Sequence, residues 1–299
     1  MKKFSIKIVV YLSLILLLAL TLDTVYTLVY SNSEVRNKVQ FVMNAPPQNY
    51  DAIILGSSRA ENHIVPELFQ KHGLSVYNFG MGGGGLCDDS LLLKLFFEKG
   101  NTTQKIFFQV DLQFMGEIPA PAIQATFLPF FTTNPTIYNH YKDNTEQSFA
   151  LAYVPFFRYC QLDSKIGFRE LVLTLLNKKG KFFESEGFIA VENTLNSKQK
   201  YTLPTAVSNK NKYYDEIKAI CKKNKVEFIP FMAPFCVYVN QADFFSKLKQ
   251  NVPELHDYSN AIKSDSLFAT CGHLNRNGAE VFTRILLEDQ FGLKGPTEK

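Results

Sequence analysis

The sequence predicts an α/β fold: a parallel sheet wound by helices, interrupted by a mostly helical or irregular insertion and preceded by a membrane anchor. Three observations lead there. Apolar runs of strand length at residues 51–55, 75–79 and 105–110 alternate with stretches of helical spacing. The connections between them are short, the order expected when strands run parallel and helices cross over between them. The chain also opens with Lys2, Lys3 and Lys7 ahead of an uncharged apolar run over residues 8–22.

The elements follow in order. Basic residues before an apolar run keep the N-terminus in the cytoplasm and send the rest outward. The run itself is shorter than the roughly 20 residues of a span, but residues 25–30 continue it past Asp23, and no Ala-x-Ala cleavage site follows. Residues 1–30 are therefore expected to be an uncleaved signal anchor; the alternative is a cleaved signal, which leaves the protein secreted. Residues 31–50, polar and carrying Pro46 and Pro47, read as a linker, and residues 51–299 as one α/β domain. Pro66 in a first turn and Gly73 after a last one bound a helix over 66–72. Leu91, Leu92, Leu95 and Phe96 give a helix over 88–99, with Asp88 or Asp89 as its cap.

Residues 116–205, rich in Phe, Tyr, Pro and Asn, break the alternation, with one helix near 169–177; they read as an insertion. Its aromatics (Phe127, Phe130, Phe131, Tyr138, Tyr141) read as core, the alternative being a sugar-lined cleft. Regular order returns with a helix over 210–224, a strand over 226–231 and a closing helix over 277–291. The net charge of +4 is too small and too dispersed to argue for nucleic acid. The five cysteines show no Cys-x-x-Cys pair and no Cys/His metal spacing, so buried single thiols are the simplest reading, with one or two disulfides as the alternative in an oxidising compartment.

Two places carry chemistry. Gly56-Ser57-Ser58-Arg59-Ala60 follows the first strand, where open α/β sheets bind their ligands. A serine there is either a nucleophile, with its own amide free for a developing oxyanion, or a helix cap. Far downstream, His273 opens His-Leu-Asn-Arg-Asn-Gly ahead of the closing helix, placed to act as a general base. Between them, Gly80-x-Gly82-x-x-Gly85 matches the dinucleotide fingerprint, and Asp111 ends the next strand as a ribose-binding acid would. The motif follows the second strand rather than the first, so a loop whose amide faces the nucleophile is the better reading.

Over residues 51–115 and 226–290 these blocks resemble the SGNH (GDSL) hydrolase superfamily. The resemblance implies a flavodoxin-like three-layer fold with Ser58 as nucleophile, aligned with the serine of the Gly-Asp-Ser pattern, and His273 as base. It implies oxyanion donors from the Ser58 amide and from a glycine after the second strand, Gly83 by spacing from Asn78, with Gly82 next. Two positions depart from the pattern. Thr270 stands where an Asp usually precedes the His, which leaves Asp265 or a backbone carbonyl as the candidate to orient the imidazole. Gln113 stands near the usual oxyanion Asn and is the candidate amide donor.

The Gly-Ser-Ser-Arg opening, the anchor and the Asn78-Phe79-Gly80 loop are similar to the membrane-anchored branch that includes teichoic-acid D-alanyl-transfer and alginate O-acetylation proteins. That similarity implies an extracytoplasmic serine-dependent acyltransferase or esterase acting on cell-envelope polysaccharide at the bacterial cytoplasmic membrane. A glycan or acylated polymer would be its substrate and a membrane-bound acyltransferase its partner, with no metal or organic cofactor. The rival is a non-catalytic SGNH-like module that binds glycan or scaffolds an assembly complex, which Thr270 and Gln113 favour.

Overall fold

The computed structural model describes residues 2–143, 145, 147–161, 163–195, 200–241 and 243–293. The chain divides into two compact units: Met1–Ala45 with Pro121–Gly180, and Pro46–Ala120 with Lys181–Lys299.

The first unit begins with α1 (Lys2–Ser31), a 30-residue helix whose apolar window has a mean hydropathy of 2.4. It is long and apolar enough to cross a membrane. Its last two turns are built into protein. Tyr26 and Tyr30 are buried, Tyr30 Oη donates to the Gly167 carbonyl at 3.0 Å, and Thr27 Oγ1 lies 2.7 Å from Tyr159 Oη. Asp23 pairs with Arg158 and accepts from the Phe156 amide at 2.8 Å. The segment read as a linker holds a further helix, α2 (Lys38–Asn44), capped by Asn37 and burying Val39, Val42 and Met43. Gln40 ties it to α1 by donating to the Tyr30 carbonyl. Seven residues carry too short a pattern to stand out beside Pro46 and Pro47.

Among the described residues, the insertion supplies five short α-helices to this unit: α6 (Pro121–Phe127), α7 (Pro135–Lys142), α8 (Ser148–Tyr153), α9 (Asp163–Ile166) and α10 (Phe168–Leu175). Phe127, Phe130, Phe131 and Tyr141 are buried and form a core, while Tyr138, expected with them, is half-buried beside Phe131. Residues 181–205 belong instead to the α/β unit, so only part of the expected insertion forms a body with α1.

The second unit is built on a sheet of β1 (Asn49–Leu55), β2 (Val76–Asn78), β3 (Thr102–Gln109), β4 (Glu227–Met232) and β5 (His256–Asp257), in the order β2-β1-β3-β4-β5 and parallel throughout. β1 is central and covered on both faces, which is why residues 52–55 are an unbroken apolar run at 0–1% exposure. Successive side chains of β3 point to opposite layers. Phe107 packs on Phe69 of α4 (Pro66–Gln70), while Phe108 meets Tyr214 of α11 (Lys212–Asn224). α11 lies beside α5 (Leu86–Glu98), and α13 (Arg276–Phe291) beside α4. The short helix α3 (Ser58–Glu61) follows β1, and α12 (Asp243–Asn251) precedes β5. β5 is two polar residues long and leaves no periodic trace in the sequence. A small antiparallel pair, β6 (Phe268–Thr270) with β7 (His273–Leu274), leads into α13. Strand order reverses between β2-β1 and β3, and the carboxyl ends of β1 and β3 flank the crevice that such a reversal opens.

Candidate active site

β1 ends at Leu55, and Gly56, at φ +137°, turns the chain so tightly that a Cβ on it would meet the Gln109 side chain at 2.8 Å. Ser57 is the N-cap of α3. Its hydroxyl accepts from the Arg59 amide at 3.3 Å, and its amide and hydroxyl both donate to Gln109 Oε1, at 3.0 and 2.8 Å, so Ser57 does the capping and Ser58 is left to face the crevice. Ser58 is the first residue of α3, and its amide is among those a helix leaves without an intrahelical acceptor.

Ser58 Oγ lies 2.8 Å from His273 Nε2, across 215 positions of sequence. The other imidazole nitrogen, Nδ1, lies 3.2 Å from Thr270 Oγ1. The threonine that stands in place of an acid is thus the group at Nδ1. Asp265 is not: its Oδ2 accepts from Tyr238 Oη at 2.7 Å, and its other oxygen is buried without a partner. The acid expected to orient the imidazole is thus bonded to Tyr238, and Thr270 takes the place at Nδ1. Burial, and then the Arg59 guanidinium, lower the pKa of His273 below the usual imidazole value, with Asp111 opposing. A neutral ring with Nδ1–H donating to Thr270 leaves Nε2 free to accept the Ser58 proton.

The hydroxyl and the imidazole open into a cavity of about 340 Å³ lined also by Gly83, Gly84, Leu112, Gln113 and Tyr201. Gly83 takes φ +80° there with open space where a side chain would be, while a Cβ on Gly82 would lie 4.0 Å from Ser58 Cβ and 2.7 Å from the Glu61 carboxylate. Gln113 reaches the cavity, but its Nε2 donates to the Gln109 carbonyl at 2.5 Å, so one of its two amide hydrogens is already used.

The dinucleotide reading fails on packing and charge. A Cβ on Gly80 would sit 2.6 Å from the Glu61 amide, so that glycine permits close approach of the loop to α3. At the start of α5, where a pyrophosphate would sit, the buried Asp88 carboxylate accepts from the Gly85 and Ala120 amides at 3.0 and 3.1 Å. Asp111 is spent on Arg59.

Arg59, which the sequence reading passed over, joins the site together. It is buried; its Nε donates to Asp111 Oδ2 at 2.7 Å, Nη1 to the Gly272 carbonyl, and Nη2 to the Ala233 and Pro234 carbonyls at 2.8 and 3.1 Å. Its guanidinium carbon lies 3.6 Å from the centre of the Phe235 ring. One side chain next to Ser58 therefore grips the residue before His273, the end of β3 and the loop after β4. A disulfide between Cys236 and Cys271 ties the same loop to the β6–β7 turn, where single thiols were the simpler expectation. Cys87 and Cys221 do remain buried thiols, each pushed up to about 12 by burial. Buried His63 accepts from the Leu274 amide through Nε2 at 3.1 Å and fixes the backbone just past His273. Among the described residues, no group of three or more His, Cys, Asp or Glu is placed to hold a metal ion.

No protein-family model matches this chain, and no curated protein gives a significant match.

Proposed function

We propose that this protein is an extracytoplasmic serine-dependent acyltransferase or esterase of SGNH type acting on cell-envelope polysaccharide. The observation that carries the reading is the 2.8 Å contact of Ser58 Oγ with His273 Nε2 at the carboxyl edge of a parallel sheet, inside an open cavity. The sheet order is the flavodoxin-like one. In this mechanism Ser58 Oγ attacks an ester carbonyl while Nε2 takes its proton. The imidazolium is held by Thr270 Oγ1, and the oxyanion by the amides of Ser58 and Gly83. The proton then passes to the departing alkoxide. A sugar hydroxyl or water, deprotonated by His273, next releases the acyl group from Ser58. A hydroxyl at Nδ1 supplies less stabilisation than a carboxylate; loss of the orienting acid costs about 10⁴-fold in well-studied triads, so a slow enzyme is expected.

Anchoring supports an envelope substrate. α1 can span a membrane, and its outer turns are core of the first unit, so cleavage after residue 30 would strip Asp23 from Arg158 and Tyr26 and Tyr30 from their pockets. The Cys236–Cys271 bond suits an oxidising compartment, and a basic N-terminus held in the cytoplasm would put the chain after α1 on the other side of the membrane. An acylated glycan polymer as substrate, the bacterial cytoplasmic membrane as location and a membrane-bound acyltransferase as partner rest on the sequence resemblance.

A second reading, a glycan-binding or scaffold module without catalysis, is favoured by two particulars: a threonine hydroxyl rather than a carboxylate stands at His273 Nδ1 among the described residues, and Gln113 is tied to the main chain. Fluorophosphonate labelling of the full-length chain in detergent separates them. The enzyme reading expects labelling that is lost in Ser58→Ala and reduced to background in His273→Ala. A folded chain that takes no label favours the module.

A further inference from the structure

The first unit carries an exposed aromatic patch that the acyl-transfer reading does not use. An α-helix rises ~1.5 Å per residue, so a hydrocarbon layer ~30 Å thick takes up about 20 residues of α1. Counted from Lys3, the layer ends at Asp23; counted from Lys7, it ends at Thr27. Whatever is bonded to Asp23 therefore lies at the outer boundary of the bilayer or just inside it. Besides the Thr27 hydroxyl of α1 itself, two groups are: the Arg158 guanidinium and the Phe156 amide. A carboxylate at that depth is costly alone, and the loop that carries Arg158 brings the compensating charge to it.

The chain enters that loop from α8, which presents Phe149 at 72% and Tyr153 at 64% exposure, with Val154 at 42% after it. The two rings lie 5.0 Å apart as one surface. Aromatic side chains of this kind, apolar in body and in Tyr153 polar at the tip, are stable at the level of lipid headgroups.

We propose that α8 and the turn after it bind the outer leaflet of the bilayer, with Phe149, Tyr153 and Val154 inserted among phospholipids beside the exit of α1. The occupant is lipid because the patch runs directly into the loop that meets the spanning helix: Phe156, two residues past Val154, lies 5.0 Å from the Tyr26 ring, and the Asp23 contacts set that loop at lipid depth. The inference depends on α1 spanning the membrane and not on the chemistry of Ser58.

The chain has no Trp, so F149W and Y153W each introduce a single reporter. The full-length variants are placed in nanodiscs of phosphatidylcholine and phosphatidylglycerol, with ordinary or brominated acyl chains. L18W, exposed on α1, sets the quenching expected within the acyl region. The proposal expects about twofold loss of F149W and Y153W emission with brominated lipid, since interfacial burial is about 5–10 Å deep, together with protection from aqueous iodide. Emission quenched by iodide and untouched by brominated lipid overturns it. So does protection that vanishes when each disc holds one chain, which would assign the patch to a second copy.

Discussion

At the scale of residues, the site rests on a serine, a histidine and the buried cation between them. Arg59 holds Asp111 and three carbonyls at once, a task for a planar fork that lysine cannot reproduce. Arg59→Met leaves Asp111 buried and unpaired, and is expected to cost about 3–5 kcal/mol, read as a drop in the thermal midpoint, with Arg59→Lys failing to restore it. The pH dependence has a definite sign. His273 must be neutral to act as base, and its pKa lies below the usual imidazole value of 6.5. The labelling rate of Ser58 should therefore stay flat as pH falls from neutrality through 6.5 and decline only below it; an acid limb centred above 6.5 would contradict the base role.

Asp89 gives a second sign. It is fully buried on α5, and burial, aided by Asp88 and opposed by the Gly56 backbone, raises its pKa well above the usual carboxylate range. The unfolded chain ionises this group above about pH 3.9 while the fold keeps it protonated, so stability is lost as pH rises toward the folded value. Asp89→Asn should stabilise the protein at pH 7 and have little effect near pH 3.5, as measured by denaturant unfolding at the two pH values.

At the scale of elements, loops without a regular pattern bring the groups together. The turn after β1, the loop after β4 and the β6–β7 pair meet around Arg59, and the Cys236–Cys271 bond closes a segment of 35 residues between two of them. In the chain-entropy account a loop of that length is worth about 4 kcal/mol. Cys271→Ser, or reduction of the native protein, should lower the thermal midpoint accordingly and slow Ser58 labelling, because the disulfide anchors the turn that carries His273. Gly187 makes a comparable demand on the backbone. It takes φ +90°, and a Cβ there would fall 1.8 Å from the Asn78 carbonyl. Gly187→Ala should prevent β2 from seating, seen as loss of the cooperative unfolding transition.

At the scale of the whole molecule, the long apolar helix α1, α2 and residues 121–180 of the insertion form one of the two compact units. A fragment starting at residue 31 would leave Arg158 without Asp23 and Tyr159 without Thr27. Such a fragment is expected to aggregate or unfold in its insertion where the full-length chain in detergent does not, a difference that size-exclusion chromatography and limited proteolysis would register. The α/β unit buries its own core around β1 and β3.

The sequence by itself determined the α/β class, the parallel central strands and the long apolar N-terminal helix, because strand-length runs buried on both faces and an uncharged apolar run are local patterns that survive in one dimension. It also determined Ser58 and His273 as a pair to test, since each stands at the end of a strand or the start of a helix with a recognisable local string. It did not determine β5 or α2, which are too short to show a period, nor the exact extent of the insertion's unit. Only the tertiary structure decided that Thr270 and not Asp265 meets Nδ1, that Gln113 turns back to Gln109, that Arg59 clamps three segments, and that Cys236 and Cys271 pair. The physical reason is common to all four. Each is a contact of direction, set by how a turn aims a side chain at a partner brought near by folding, and spacing along the chain carries no information about aim.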